Sequence, residues 1–278
     1  MKKFYWFTLA AVLIFALVGG GQIDSAFAQG KVNIDDGPIK EADWMKNPAE
    51  APLNEDHAKV KTWITKWYGP DGNYENNGGF AASAPKDLIK EGTNGKLTQV
   101  SLSTVEGLRL TQTVDIGWKG ANGGARKWTV FELDPADAHH MNRDGPADNM
   151  DTYAICVIDA PEDMKAVMSP AHDDHAQIWI NGEKWYNNSA WTGAAQQVDF
   201  NVEVELQKGA NVLLYRCGET GGHAYMNLHF DDATHKAVDI YPDKAKDQAS
   251  FFNEIAGVLP VEPAGKLTTI WGDIKRNR

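Results

Sequence analysis

Hydrophobic and polar positions along the middle of the chain form short runs of strand length. From residue 60 to residue 230 these runs are rich in β-branched and aromatic residues, and turn residues separate several of them. The runs are VKTWITKW, KLTQVSLS, LRLTQTVDIGW, KWTVFEL, DTYAICVIDA, HAQIWING, EKWYNN, VDFNVEVEL, ANVLLYRC and YMNLHF. Few helical periods intervene before residue 232, so the pattern predicts an antiparallel β-sandwich or barrel and not alternating βαβ units.

Turn chemistry predicts two hairpins in this region. The Asn-Gly pair at residues 181–182 is typical of a type I′ turn, because both of its central residues take positive φ. It predicts a hairpin between QIWI and EKWY, and it places Asp173 and Asp174 in the loop just before the first of these strands. A second hairpin is predicted to join VDFNVEVEL to NVLLYRC through residues 208–210.

The pattern becomes helical beyond the last strand. Apolar residues recur at helical spacing in DKAKDQASFFNEIAGVL and again in GKLTTIWGDIKRNR, where the basic residues come last and suit the helix dipole. A helix this short is marginal alone in water, so we expect it to dock on the sandwich or on another protein. We therefore predict a mainly β domain over residues 58–232 and a C-terminal helical tail over residues 233–278.

The first 28 residues have the features of a secretory signal peptide. Lys2 and Lys3 precede an apolar run over residues 4–18, and the sequence SAFA ends at Ala28. A transmembrane anchor is the alternative, but the run is short for a span and three glycines close it. We expect cleavage after Ala28, which gives a periplasmic or secreted protein with no further insertion in the membrane.

Residues 29–57 differ in character from the sandwich region. They are polar and contain three prolines, a composition that is typical of a linker or lead-in segment and not of a domain. Trp44 is unusual in a free linker. We therefore expect this side chain to dock on the body of the protein.

The acidic charge narrows the range of partners. The formal net charge is −11, and it becomes −12 when residues 1–28, which carry two lysines and one aspartate, are removed. An acidic chain repels phosphate backbones, which disfavours nucleic acid as a partner. It also gains nothing from an anionic membrane surface.

Two cysteines, Cys156 and Cys217, leave two interpretations open. An even number in an exported protein suggests a disulfide, which would stabilise the fold by about 4 kcal/mol in the chain-entropy model. The alternative is a pair of buried free thiols. The sequence does not give the Cα separation that would distinguish them.

One ordered series of motifs resembles a known family. The stretch TYAICVIDAPEDMKAVMSPAHDDHAQIWINGEKWYNN, followed by VEVELQKGANVLLYRCGETGGHAYMNLHF, is similar to the PA14 and galactose-binding-like domains of exported bacterial proteins. The resemblance implies a jelly-roll β-sandwich whose usual task is non-catalytic binding, often of carbohydrate. In PA14-type adhesins, adjacent aspartates coordinate Ca²⁺ together with sugar hydroxyls, and these positions match Asp173 and Asp174. His175 stands where that family usually has glycine.

The acidic pair also suggests a cation by its chemistry alone. Asp173 and Asp174 offer oxygen ligands, which suit a hard cation such as Ca²⁺ in an irregular loop. A solvated turn, in which the two side chains cap backbone N–H groups, is the alternative. Including His172 and His175 suggests a zinc site instead.

Aromatic and amide side chains nearby suggest a carbohydrate site. Flat aromatic faces stack on the C–H surface of a sugar, and amides bind its hydroxyls. The candidate ligand-binding residues are Asp173, Asp174, Trp185, Tyr186, Asn188, Trp191 and His223. Core packing of these aromatic residues and a surface position for His223 are the alternatives.

Common enzyme signatures are absent from the sequence. It contains no G-x-S-x-G, H-E-x-x-H or G-x-x-x-x-G-K-[ST] motif. We therefore predict a non-catalytic exported module that binds a glycan or glycoconjugate, with Ca²⁺ as the candidate cofactor. Two alternatives are a structural module that binds another extracytoplasmic protein through residues 262–278, and a polysaccharide hydrolase, whose carboxylates would form no local motif.

Overall fold

The structure is a computed structural model that describes most of the chain between residues 37 and 260. The described ranges are 37–45, 55–118, 124–134, 140–141, 143–189, 195–222 and 224–260. Of these residues, 41% lie in strands and 16% in helices. The protein is therefore mainly β, as the sequence predicts, and all of its described strand pairs are antiparallel.

Strands and short helices follow one another from Glu55 to Glu254. The strands are β1 (Glu55–Asp56), β2 (Lys66–Pro70), β3 (Tyr74–Glu75), β4 (Ile116–Trp118), β5 (Gly124–Arg126), β6 (Trp128–Glu132), β7 (Met150–Ala160), β8 (Met164–Asp173), β9 (His175–Ile180), β10 (Glu183–Asn188), β11 (Gln197–Val198), β12 (Val202–Leu206), β13 (Gly209–Gly218), β14 (Tyr225–Phe230) and β15 (Asp239–Tyr241). The helices are α1 (Phe80–Ser83), α2 (Leu88–Gly92), α3 (Gln99–Leu102), α4 (Val105–Leu110), α5 (Asp232–Ala237) and α6 (Gln248–Glu254).

Two sheets form the body of the molecule. The large sheet has the order β10-β9-β13-β7-β2-β6, and β3 and β15 also pair with β7. The small sheet has the order β12-β8-β14 and packs on one face of the large sheet, where residues of both sheets form one apolar core. This arrangement is consistent with a β-sandwich.

The central strand β7 is apolar along most of its length because both of its faces are covered. Cys156 and Ile158 belong to the core beneath the small sheet, whereas Ile155 and Val157 belong to a second core on the opposite face. Helical residues such as Leu102 close that second core. Alternate residues of one strand therefore enter two different cores, as the period of two in a strand requires.

The helical layer corrects two strand predictions. KLTQVSLS and LRLTQTVDIGW were interpreted as strands, but the first contains α3, the second begins in the last turn of α4, and only the end of the second run forms β4. The side chain of Thr98 accepts a hydrogen bond from the backbone N–H of Ser101, and that of Thr104 accepts one from Gly107. These N-caps start helices in segments whose composition favours strands.

The two predicted hairpins have different outcomes. The first is confirmed, because Asn181 and Gly182 have φ of 53° and 87° and Glu183 pairs with Ile180. The second is wrong. Strand β12 pairs with β8 in the small sheet while β13 pairs with β7 in the large one, so the intervening residues pass between the sheets.

Of the two interpretations left open for Cys156 and Cys217, the disulfide is wrong and the pair of free thiols is confirmed. Both are buried free thiols. They lie on neighbouring strands, but Cys156 is opposite Leu213 and Cys217 is opposite Thr152. The thiols are therefore four positions apart along the strands, about 13 Å, which exceeds the Cα separation of roughly 7 Å that a disulfide can span.

We expect both thiols to stay unreactive until the protein unfolds. Burial raises the pKa of Cys156 and of Cys217, so neither is a reactive thiolate in the fold. A thiol reagent should detect two thiols per chain in denaturant and none in the native protein. A reductant should leave the melting temperature unchanged. A melting temperature that falls on reduction would show that a disulfide is present after all.

Both ends of the described chain pack on the body. The backbone N–H of Ile39 donates to Lys184 and that of Met45 donates to Asn187, so residues 37–45 run along the edge strand β10. The Trp44 ring lies 5.3 Å from that of His175, which confirms that it docks.

The tail also contributes to the domain. Strand β15 pairs with β7, and Phe251 of α6 stacks on Tyr68 at 4.6 Å. Residues 1–28 and 262–278 lie outside the described residues, so the predictions made for them stay predictions. A search of the described residues finds no helix that is both long enough and apolar enough to cross a bilayer.

A buried arginine ties the helical layer to the large sheet. Arg216 of β13 has no accessible surface, and its Nε donates to Asp151 Oδ1 at 2.7 Å. Its two terminal nitrogens donate to four more oxygens at 2.9–3.1 Å, the backbone oxygens of Ser83 and Lys86 and the side-chain oxygens of Gln99 and Gln177. The charge is therefore paired and hydrogen-bonded, as a buried guanidinium must be.

Candidate cation site at one end of the sandwich

The acidic pair lies where the chain passes from the small sheet to the large one. Asp173 is the last residue of β8 and is opposite Tyr225 in the small sheet. His175 is the first residue of β9 and is opposite Gly218 in the large sheet. Asp174 stands between the two strands, and the peptide bond that joins it to Asp173 is cis. The pair thus occupies one end of the sandwich, as expected for a strand-connecting segment.

A third carboxylate, Glu219, completes the group. Glu219 directly follows β13, the neighbour of β9, so the large sheet brings it beside the acidic pair. One carboxylate oxygen each from Asp173, Asp174 and Glu219 lie within 4.8 Å of one another. The group is fixed by the backbone, because Thr220 donates its N–H to Asp174 Oδ2 at 3.1 Å.

The sequence interpretation missed Glu219. It lies far from the aspartates along the chain, and only the pairing of β9 with β13 makes them neighbours. The signal that was available is its position at the start of the glycine-rich loop ETGG, which precedes the last strand of the small sheet.

Burial makes this third carboxylate unusual. Glu219 has no accessible surface, Asp173 is 9% exposed, and Asp174 is partly exposed. The Glu219 Oε1 atom accepts a hydrogen bond from the backbone N–H of Gly221, whereas no donor group reaches its buried Oε2, and the protonated acid can share its proton only with the carboxylate of Asp174. Burial, followed by the negative charge of Asp174, raises the pKa of Glu219 to about 8. Ionised Glu219 is destabilised by its burial and by repulsion from Asp174. A positive ion among the three carboxylates would offset both effects.

Without divalent cations, the stability of the protein should fall as pH rises from about 6.5 to about 8. The folded state binds the Glu219 proton up to about pH 8, whereas the unfolded chain releases it near 4.5, so the free energy of unfolding decreases as pH rises through this window. Burial lowers the pKa of His172, His175 and His229 to about 4, 3 and 4. These histidines make stability rise with pH, but only up to the unfolded pKa of about 6.5, so they do not mask the effect of Glu219 above that pH.

Thermal unfolding in a chelator across this range measures the effect. A melting temperature that does not fall between these two pH values would contradict the assignment of the raised pKa to Glu219.

Several predicted ligand-binding residues are buried and do not face solvent. Trp185 is 3% exposed in the core between the sheets, and Tyr186 has no accessible surface and hydrogen-bonds His172 Nε2 at 2.9 Å. The prediction that Trp185 or Tyr186 offers a stacking face is therefore wrong, because both rings belong to the core between the sheets, where a register shift between Lys184 and Tyr186 interrupts the alternation of β10. Asn188 is buried as well, with 8% exposed. Trp191 and His223 lie outside the described residues.

The zinc alternative is not favoured either. His175 Nε2 is hydrogen-bonded to Asn187 Oδ1 at 3.0 Å, and His172 is bonded to Tyr186 as above. Within the part of the chain that the structure describes, the only group of three or more candidate metal ligands is the carboxylate group, and it includes neither histidine. An all-oxygen group suits a hard cation and not zinc.

Comparison with known proteins does not assign the chain to a family. No protein-family model matches it, and a search of curated proteins gives no significant match. The similarity to PA14 and galactose-binding-like domains therefore stays a resemblance in motifs, and functional inference depends on the geometry of the site.

Proposed function

We propose that this protein is a non-catalytic, extracytoplasmic binding protein that holds Ca²⁺ on Asp173, Asp174 and Glu219 and uses the ion to recognise glycan hydroxyls. One observation carries the proposal: three carboxylates converge at the end of the sandwich, and the innermost has a buried oxygen without a hydrogen-bond partner. Buried polar atoms are rarely left unsatisfied, and no donor group reaches this oxygen when Glu219 is ionised, so a cation is the partner that would satisfy it.

The ligand set favours Ca²⁺ among the common cations. All three side chains offer oxygen, and Ca²⁺ accepts six to eight oxygen ligands in irregular geometry. Three carboxylates fill only part of that shell. Because Asp174 is partly exposed, the remaining positions are open to solvent and to the hydroxyl groups of a ligand. Export, predicted from residues 1–28, would place the site in a compartment that suits weak extracellular Ca²⁺ modules.

The same group does not favour the hydrolase alternative. A glycosidase needs a carboxylic acid that touches the glycosidic oxygen and a second carboxylate on the other side of the bond. Glu219 has the raised pKa of a general acid, but it has no accessible surface and so does not reach a substrate. Ligand binding through a cation does not require Glu219 to touch the ligand, because Glu219 would contact only the cation.

A glycan array with and without Ca²⁺ tests this function. We expect binding that requires Ca²⁺ and is lost in Asp174→Asn, because this substitution removes a negative ligand while keeping the size of the side chain. Asp148→Asn is the matched control, since Asp148 accepts a hydrogen bond from Gly222 in the same loop but lies outside the carboxylate group. Glycan binding that is equally strong in a chelator would overturn the proposal.

A further inference from the structure

A cleft of about 430 Å³ lies between the lead-in segment 37–45 and the helices that cover the large sheet. Its wall includes Trp44 and Val100, which are 47% and 37% exposed. In the described residues only one other large hydrophobic side chain, Leu110, is exposed to a similar degree. Two of the three exposed large hydrophobic side chains among the described residues therefore line this cleft.

The floor of the cleft is polar and buried. It includes Gln99, Gln177, Lys184 and Asn187, each at most 4% exposed. Gln177 Nε2 is held only by long hydrogen bonds of 3.3 Å, one to Ala84 O and one to Asn187 Oδ1. These buried groups are bonded within the protein, but the lining also includes the exposed polar side chains of Glu41, Lys86 and Lys90. An exposed indole beside polar side chains that reach solvent is the combination that binds a pyranose ring, because the indole stacks on C–H groups and the polar groups bind hydroxyls.

Trp44 is held in place before any ligand arrives. The backbone N–H of Met45 donates to Asn187 O at 3.0 Å, and Asn187 Nδ2 donates to Asp43 O at 2.8 Å. The indole also lies against the ring of His175. A pre-positioned aromatic ring loses little conformational entropy on binding, which favours affinity.

The cleft and the carboxylate group are neighbours. His175, whose ring contacts Trp44, directly follows Asp174 in the chain. The His175 ring also stacks on the ring of Phe80 in α1, with 5.6 Å between the ring centroids. A single residue of the chain thus connects a cation ligand to the aromatic wall of the cleft.

We propose that this cleft is a second sugar-binding subsite, in which Trp44 stacks on one pyranose unit of an oligosaccharide while a neighbouring unit contacts the cation. The inference rests on the proposed function and extends it, because it assigns the protein to oligosaccharides and not to monosaccharides. It also places the stacking surface on the lead-in segment instead of on β10.

The test compares Trp44→Ala, Trp44→Phe and Leu110→Ala with the unaltered protein on an array of monosaccharides and their linear oligomers, in Ca²⁺. Leu110 is the matched control, since it is 42% exposed but lies in α4, outside the cleft. We expect Trp44→Ala to weaken oligosaccharide binding about tenfold or more, the factor that corresponds to losing one stacked ring. Trp44→Phe should keep most of the affinity, and Leu110→Ala should keep all of it.

The possible outcomes separate this subsite from the cation site. Binding that needs Ca²⁺ but changes less than twofold in both Trp44 variants would overturn the subsite and leave the proposed function standing. Binding that needs Trp44 but neither Ca²⁺ nor Asp174 would keep the subsite and overturn the cation-dependent function. An array on which no glycan binds would overturn both.

Discussion

Arg216→Met should destabilise the protein by about 3–5 kcal/mol, the cost of removing one partner from a buried ion pair. The substitution leaves the carboxylate of Asp151, which has no accessible surface, without its cation. It also removes the donors that reach Ser83 and Lys86 in the helical layer. Urea unfolding at neutral pH measures the loss.

Two controls distinguish this network from a general effect of charge removal. Arg216→Lys should not restore stability, because an ammonium cannot reach five acceptors from one side chain. Lys165→Met removes a cation from the Lys165–Glu203 pair, in which the lysine side chain is 66% exposed, and should cost less than about 1 kcal/mol. Equal losses in Arg216→Met and Lys165→Met would contradict the structural role given to Arg216.

Glu219→Gln should have opposite effects with and without Ca²⁺. In a chelator at about pH 8 the variant should be at least as stable as the unaltered protein, because the amide is neutral and resembles the protonated acid that the buried position favours. In Ca²⁺ it should be the less stable of the two, since it loses one of three carboxylate ligands and binds the ion about tenfold or more weakly.

Melting temperatures of both proteins in chelator and in Ca²⁺ measure this reversal. Glu205→Gln is the control, because Glu205 is an exposed residue of β12 and should respond in neither condition. If Glu219→Gln is stabilised by Ca²⁺ as strongly as the unaltered protein, Glu219 is not a ligand.

Several strands of the central region could be predicted from the sequence, because they depend on the alternation of apolar and polar residues and on the Asn-Gly turn. Asn181 and Gly182 fix their hairpin through positive φ, a purely local property. The helices after Thr98 and Thr104 were missed, because a side-chain cap outweighed the preference of the composition for strands. The crossing between sheets after Leu206 was missed too, since strand length and turn residues do not show which sheet a strand joins.

The candidate site was predicted in part for the same reason. The adjacent pair Asp173 and Asp174 is visible in the sequence, whereas Glu219 joins it only through strand pairing. Trp185 was a candidate stacking residue but lies in the core between the sheets, because a register shift in β10 that alternation does not show turns it inward. Trp44, in a segment interpreted as a linker, has the exposed ring instead.

Isothermal titration of Ca²⁺ into the chelator-treated protein is the most direct test of the cation site. We expect saturable binding of one ion per chain with a dissociation constant of up to about 1 mM, the range of extracellular modules. We expect Asp174→Asn and Glu219→Gln to weaken this binding about tenfold or more and Asp148→Asn to preserve it. No heat of binding in the unaltered protein, or the same binding isotherm in all four proteins, would contradict a cation site on these three carboxylates.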